Sequence, residues 1–209
     1  MALPIQYYPE VANLANKNKL FIVIAPTIYF PIGINLNIEG DGFIDTIHFL
    51  KNRNLRKIAL ACSYRMDSVI HWHYVQIFMK AMLAAKLPII PGGICDIETL
   101  NEYGDFIIQN VDVVFCTNRH LREKIKFLYH KNRKKIKRAP LIISTNDPVP
   151  PQSGMLQMTI DYKHFANQLY DIISHPGKYK PGENIRMPVL QAPDYQIFSR
   201  VLAKEHSDL

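Results

Sequence analysis

Cysteine is scarce in this chain, a long apolar run is missing, and so are the short motifs of the common hydrolases and nucleotide binders. The three cysteines, Cys62, Cys95 and Cys116, form no CxxC pair and leave an odd count, which excludes a disulfide framework and a zinc knuckle as readings of the sequence. No apolar stretch approaches the roughly 18 residues that a membrane helix needs, and "LFIVIAP" near the start is too short even for a secretory h-region. The expectation is a soluble cytoplasmic protein. A glycine-rich phosphate loop, a GxSxG elbow and an HExxH helix are all absent, so the chemistry those motifs bring is not expected, nor a cofactor or metal.

What is present is ordinary globular composition: 209 residues, 48% hydrophobic and 21% charged, enough to bury a core in one or two domains. The formal net charge of +7 owes much to one stretch, "KNRKKIKR" from Lys131 to Arg138, which holds six of the 25 basic residues. Neither interleaved aromatics nor a reading motif accompanies it, so it reads as a solvated loop between a helix and the next strand rather than as a nucleic-acid site.

From Leu55 onward, short β-branched runs alternate with longer segments of helical spacing, the pattern of a parallel α/β sheet. "KIALA" (57–61) precedes a helix with Val69, Trp72, Val75, Met79 and Met82 inward. "PII" (88–90) leads to Ile97, Leu100 and Ile107, and "VDVVFC" (111–116) to Leu121, Ile125 and Leu128. "PLIIS" (140–144) is the fourth strand, and the interval of roughly 25 to 30 residues is the length of a crossover unit. Earlier in the chain, after a weak helical segment at 9–18, "LFIVIA" (20–25) reads as a strand followed by a long loop, "PTIYFPIGINLNIEG". A helix opened by Asp41 then turns Phe43, Ile44, Ile47 and Leu50 inward. Later, "LQMTI" (156–160) reads as a strand, "DYKHFANQLYDIISHPG" as a helix started by Asp161 and stopped at Pro176-Gly177, and "IRMPVL" (185–190) as the last strand. One strand of its own is too few for an amino-terminal sheet, and the beginning is expected to be missing.

The order of these segments resembles the effector-binding domain of the LacI/GalR transcription regulators over nearly the whole chain. "DGFIDTIHFLKNRNLRKIALACS" is similar to the family's helix, turn and strand opening the second subdomain, and "IFMKAMLAAKLP" to its Gly-Phe-x-x-Ala-Leu-x-x-Ala-Gly helix. "VDVVFCTN" and "PLIISTNDP" resemble its two polar strand ends, "LQMTIDYKHFANQLYDII" its return crossover, and "NIRMPVLQ" its final strand. The resemblance implies a periplasmic-binding-protein-like type I fold: two doubly wound parallel-sheet subdomains with a small ligand in the cleft between them. The first would be incomplete, with residues 1–53 and 159–187 its remnant, and residues 54–158 and 188–209 would form the second. The family's DNA-reading head and hinge have no counterpart in the sequence.

Carried over residue by residue, the resemblance implies ligand contacts from Asp41, Tyr74, Asn118, Asn146 and Asp161. Helix capping explains Asp41, Asn118 and Asp161 equally simply. Several positions depart from the family. Tyr74 stands where it has an arginine, and a phenol offers one donor where guanidinium offers five. Ile77 and Ser144 replace glycines, Arg119 replaces an aspartate, and Asn146 replaces the first of paired aspartates, leaving Asp147. Two weaker constellations are set aside. His71 and His73 point about 200° apart on a helix, which is wrong for a shared metal, and Cys116 near His120 reads as a buried strand cysteine rather than a nucleophile.

The expected function is therefore effector binding, of a sugar or related metabolite, in the manner of a LacI-type regulator that lacks its DNA-binding head and so binds no DNA specifically. Intact relatives would be homodimers, and no membrane contact is expected. A free periplasmic-type sugar-binding protein and, behind it, a small enzyme using the Cys116 region are the alternatives.

Overall fold

The computed structural model describes residues 22–24, 33–38, 40–62, 69–136, 138–145, 155–180, 182–187, 190–191 and 193. The segment at 9–18, Asn146 and Asp147, and the side chains of His71 and Trp72 lie outside them. The chain divides into two compact units: Met1–Glu39 with Asp161–Leu190, and Gly40–Ile160 with Gln191–Leu209.

The second unit is built on a five-stranded sheet. Its strands are β3 (Ile58–Ala61), β4 (Ile94–Cys95), β5 (Val113–Cys116), β6 (Leu141–Ser144) and β7 (Met155–Gln157), in the order β4-β3-β5-β6-β7. All neighbours are parallel, with Ala61 beside both Cys95 and Cys116, and Cys116 beside Ser144. Every residue of β3, β5 and β6 is buried, as expected of parallel strands covered on both faces. On one face Ala59, Ala61, Val114, Cys116 and Ile142 join Leu100, Ile107, Leu121, Ile125 and Leu128 from α3 (Ile97–Asn110) and α4 (Arg119–Asn132). On the other, Phe115 stacks on Phe43 of α1 (Asp41–Asn52) at 4.8 Å and meets Phe78 of α2 (Val69–Ala84) at 6.3 Å.

The first unit holds a smaller parallel sheet, with β1 (Ile22–Ile24) and β9 (Asn184–Met187) flanking β2 (Ile34–Ile38). Its helix, α5 (Tyr162–Ser174), buries Ile172 and half-buries Phe165 and Leu169. The turn after α5, Pro176–Lys178, is pinned to it by Asp171, which accepts hydrogen bonds from Lys178 Nζ at 2.6 Å and from the Tyr179 hydroxyl and faces His175 Nδ1 at 3.1 Å. Those bonds, Lys178 first, hold the Asp171 carboxyl down at about 2. The short strands β8 (Thr159–Ile160) and β10 (Leu190–Gln191) pair separately.

Several sequence expectations are corrected. β2 lies inside the stretch read as a long loop. Its alternation of Ile34, Leu36 and Ile38 is a strand signal that the two intervening asparagines, poor strand formers, obscured. The amino-terminal sheet therefore has three described strands rather than one of its own. "PII" is not a strand: Pro88 and Pro91 lack the ladder N–H, Gly92 turns the chain at φ +69°, and pairing begins only at Ile94. "LQMTI" splits, Met155–Gln157 joining the large sheet as its fifth strand. Met79, expected inward, is 47% exposed, because Val75, Phe78 and Met82 already fill the face α2 turns to the sheet. By its packing α1 groups with the second unit, against the expectation that residues 1–53 go with the first: Phe43 meets Phe115, and Lys51 Nζ donates to the Ala85 carbonyl at 2.8 Å.

Candidate functional site

In an open parallel sheet the strands' carboxyl ends are where polar groups reach a ligand, because the chain leaves the sheet there and helices begin. Across the second unit this edge presents Asp96 after β4, Cys62 after β3, Thr117 and Asn118 after β5, and Ser144 and Thr145 at and after β6. The ends are stitched by backbone bonds: Thr117 N–H to the Ala61 carbonyl at 3.0 Å, Thr145 N–H to that of Cys116 at 3.0 Å, and Met158 N–H to that of Ser144 at 2.8 Å. The Thr145 hydroxyl also donates to the Cys116 carbonyl at 3.4 Å.

Asn118 begins α4. Its backbone is extended (φ −157°, ψ 172°) and its Oδ1 accepts from Leu121 N–H at 3.0 Å, so the capping alternative is realised in full. The cap engages only the oxygen. The Nδ2 amide, a double donor, has no partner among the described residues. Asp96 caps α3 in the same way, from Thr99 N–H at 2.8 Å.

The other sequence-picked residues are placed differently. Asp41 does not cap: Gly40 occupies the cap position of α1, and the Asp41 carboxylate stands exposed in the first turn, where it complements the helix dipole. Tyr74 is 8% exposed, its ring tilted against Phe43 at 6.4 Å and His73 at 5.9 Å, so its ring lies in the apolar layer between α1 and α2. Asp161 belongs to the first unit, where it caps α5 from His164 N–H at 2.8 Å.

Two charge features stand out. All three thiols are buried, and desolvation pushes Cys95 up to about 12 and raises Cys62 and Cys116 as well, so none offers a thiolate near neutral pH. The first turn of α4 holds Arg119, His120 and Arg122 and no acidic residue. Cations at a helix amino terminus are disfavoured by about 0.3–1 kcal/mol each. The residues that sequence reasoning undervalued here are Thr117, Ser144 and Thr145; the signal for them was their position at the ends of apolar runs.

Among the described residues no group of three or more histidine, cysteine or acidic side chains could hold a metal, and no helix is long and apolar enough to cross a membrane. No family model and no curated protein matches the sequence. Solved structures do match. A regulatory protein of the LacI family from Chloroflexus aggregans superposes with a TM-score of 0.64 at 17% identity, covering 89% of this chain and 70% of that one. The fold is that of a LacI-type effector domain. A LacI family transcriptional regulator from Silicibacter pomeroyi gives 0.63 at 14% identity over 92% of this chain and 86% of that one. One from Enterococcus faecium with bound ribose gives 0.57 at 16% identity, over 88% and 74%. In this LacI-type fold the edge bearing Asn118 is the carboxyl edge of the larger sheet.

Proposed function

We propose that the chain is the effector-binding part of a LacI-type regulator, capturing a small hydroxylated molecule of the sugar class at the carboxyl edge of the second unit's sheet. The observation that carries this reading is Asn118, whose oxygen is committed to the α4 cap while its amide nitrogen has no partner among the described residues, at a strand edge that also carries Thr117 and Thr145. Similarity to a fold that holds ribose in the Enterococcus faecium protein supports the ligand class. Asp41, exposed in the first turn of α1, is proposed as a further contact. Binding rather than catalysis is favoured because the thiols at this edge are neutral and buried and Cys116 is wholly covered.

The test is a thermal-shift and calorimetric screen of the whole chain against neutral sugars, including ribose and cellobiose, and their phosphorylated and acidic derivatives. A saturable ligand weakened about 5- to 150-fold by Asn118→Ala, the equivalent of roughly 1–3 kcal/mol for one buried hydrogen-bonding partner, supports the reading. A ligand that binds Asn118→Ala unchanged refutes the placement.

A further inference from the structure

The first turn of α4 runs against the electrostatic preference of its own helix. The amino ends of α1 and α3 follow the rule, with Asp41 and Glu98 in their first turns, whereas α5, like α4, has no acid there and carries Lys163 and His164. In α4 the same place is taken by Arg119 and His120, with Arg122 close behind and no carboxylate in the turn. Arg119 is exposed, and no hydrogen bond or ion pair restrains it among the described residues. Arg122 is buried and reaches Glu123 Oε1 through Nε at 3.4 Å, and Glu123 is shared with Lys126 at 3.2 Å, so the one nearby acid is already engaged on the outward face of the helix. The Asn118 cap satisfies only the Leu121 N–H. Among the described residues the N–H groups of Arg119 and His120 therefore have no partner at the helix end, nor does the Asn118 amide nitrogen.

A second, independent feature lies on the sheet face that α4 covers. Ser144 is fully buried, and its hydroxyl has no hydrogen-bond partner among the described residues. Strand alternation puts it on the side of the sheet shared by Cys116 and Ile142, the side α4 covers, and its register pairs it with Cys116, two residues before the Asn118 cap of that helix. A buried hydroxyl is rarely left unpaired without cause.

We infer that the effector carries an anionic oxygen group, a phosphate or a carboxylate, seated on the open N–H groups of Arg119 and His120 and on the Arg119 guanidinium, with the Ser144 hydroxyl donating from the sheet side. This rests on the ligand-capture reading above and narrows its chemistry: the arginine that stands at 119, where the resembled family has an aspartate, suits the site to an anion.

The first arm of the test needs no sugar scaffold. Inorganic phosphate is titrated into the whole chain at constant ionic strength, and amide resonances are followed. Saturable shifts at Arg119 and His120, at phosphate concentrations that leave residues 131–138 unmoved, are expected; shifts confined to 131–138 overturn the inference. Arg119→Asp should abolish the shifts while raising the melting temperature of the free chain, because it restores the favoured charge at the helix end. Ser144→Ala should weaken phosphate at least about threefold without unfolding the chain. Retained phosphate binding in Arg119→Asp counts against the site. The second arm compares ribose, ribonate and ribose 5-phosphate: tighter binding of either anion by about tenfold supports the inference and says which group is read. Binding of neutral sugars with rejection of both anions sinks it while leaving the ligand-capture reading intact. Failure of every sugar, neutral or anionic, with phosphate still bound at Arg119, sinks the ligand-capture reading instead.

Discussion

A single amide side chain can take two roles through its two polar atoms, and Asn118 is proposed to do so. Its oxygen holds the first turn of α4 while its nitrogen has no partner among the described residues. The roles separate by substitution. Asn118→Asp keeps the capping oxygen, and Asp caps as well as Asn, so the unfolding midpoint should hold within about 0.5 kcal/mol while ligand affinity falls; Asn118→Ala should lose both, including about 1 kcal/mol of stability from the cap. Equal loss of stability in the two variants, measured by urea unfolding, would show that the oxygen is not what caps the helix. His73 illustrates a residue whose environment matters through charge alone. Burial holds its imidazole at about 4, well below its ordinary 6.5, so the folded state prefers it neutral. Between those values the unfolded chain binds the proton and the folded chain does not, so the contribution is present above about pH 6.5 and is lost as the pH falls towards 4. The loss amounts to about 2 kcal/mol by pH 5, and unfolding of His73→Gln should lack this part of the acid sensitivity. An identical pH dependence in the variant and the parent chain would remove His73 as its source.

At the scale of elements, the approach of the α1 start to α2 is set by a pair. A Cβ added at Gly40 would lie 2.2 Å from Ile77 Cγ2 and 2.9 Å from Cγ1. Ile77, which replaces a glycine of the resembled family, thus takes up the room that a side chain at 40 would need. Gly40→Ala should cost about 1–3 kcal/mol by overpacking, and adding Ile77→Ala should recover part of that, with a coupling of at least about 0.5 kcal/mol in a double-mutant cycle. Strict additivity of the two changes would refute the contact. Neither half of this pair is legible as a packing constraint in the sequence, since nothing local ties residue 40 to residue 77. The elements themselves were legible where one signal dominated: Leu121, Ile125 and Leu128 at helical spacing are all buried, and the short apolar runs at 58–61, 113–116 and 141–144 are strands. Legibility failed where signals conflicted, as with the asparagines of β2 and the prolines around Ile89 and Ile90. At the site, the strand-end position of Asn118 could be read from the apolar run before it. The buried, partnerless state of Ser144 could not, because it depends on register between β5 and β6.

Over the whole molecule the excess positive charge is placed rather than spread. Lys131 pairs with Asp105 at 2.8 Å, Asn132 bonds the same carboxylate and the Leu128 carbonyl, and the rest of the basic stretch follows the carboxyl end of α4, where cations complement the helix dipole. Attraction of this chain to DNA should accordingly be indifferent to sequence and vanish by about 0.2 M salt, as counterion release dictates; sequence-selective retention at that salt in a filter-binding assay would overturn this. Stability should be uneven for a related reason, that buried area and strand number differ between the units. The second has five parallel strands whose central three are wholly buried, with helices on both faces. The first has three described strands of three to five residues, and its helix α5 wholly buries Ile172 alone while leaving Tyr162, Tyr170 and Ile173 exposed. A short sheet under one lightly buried helix opens at lower free energy than a five-stranded core, since less apolar surface resists each opening. Amide exchange of the whole chain, verified as monomeric, should therefore be faster at Leu36 than at Val114 or Ile143, although all three side chains are buried. Equal protection at the three positions would mean that the small sheet draws stability from more than its described strands and α5, and the ordering argued from strand number would fail.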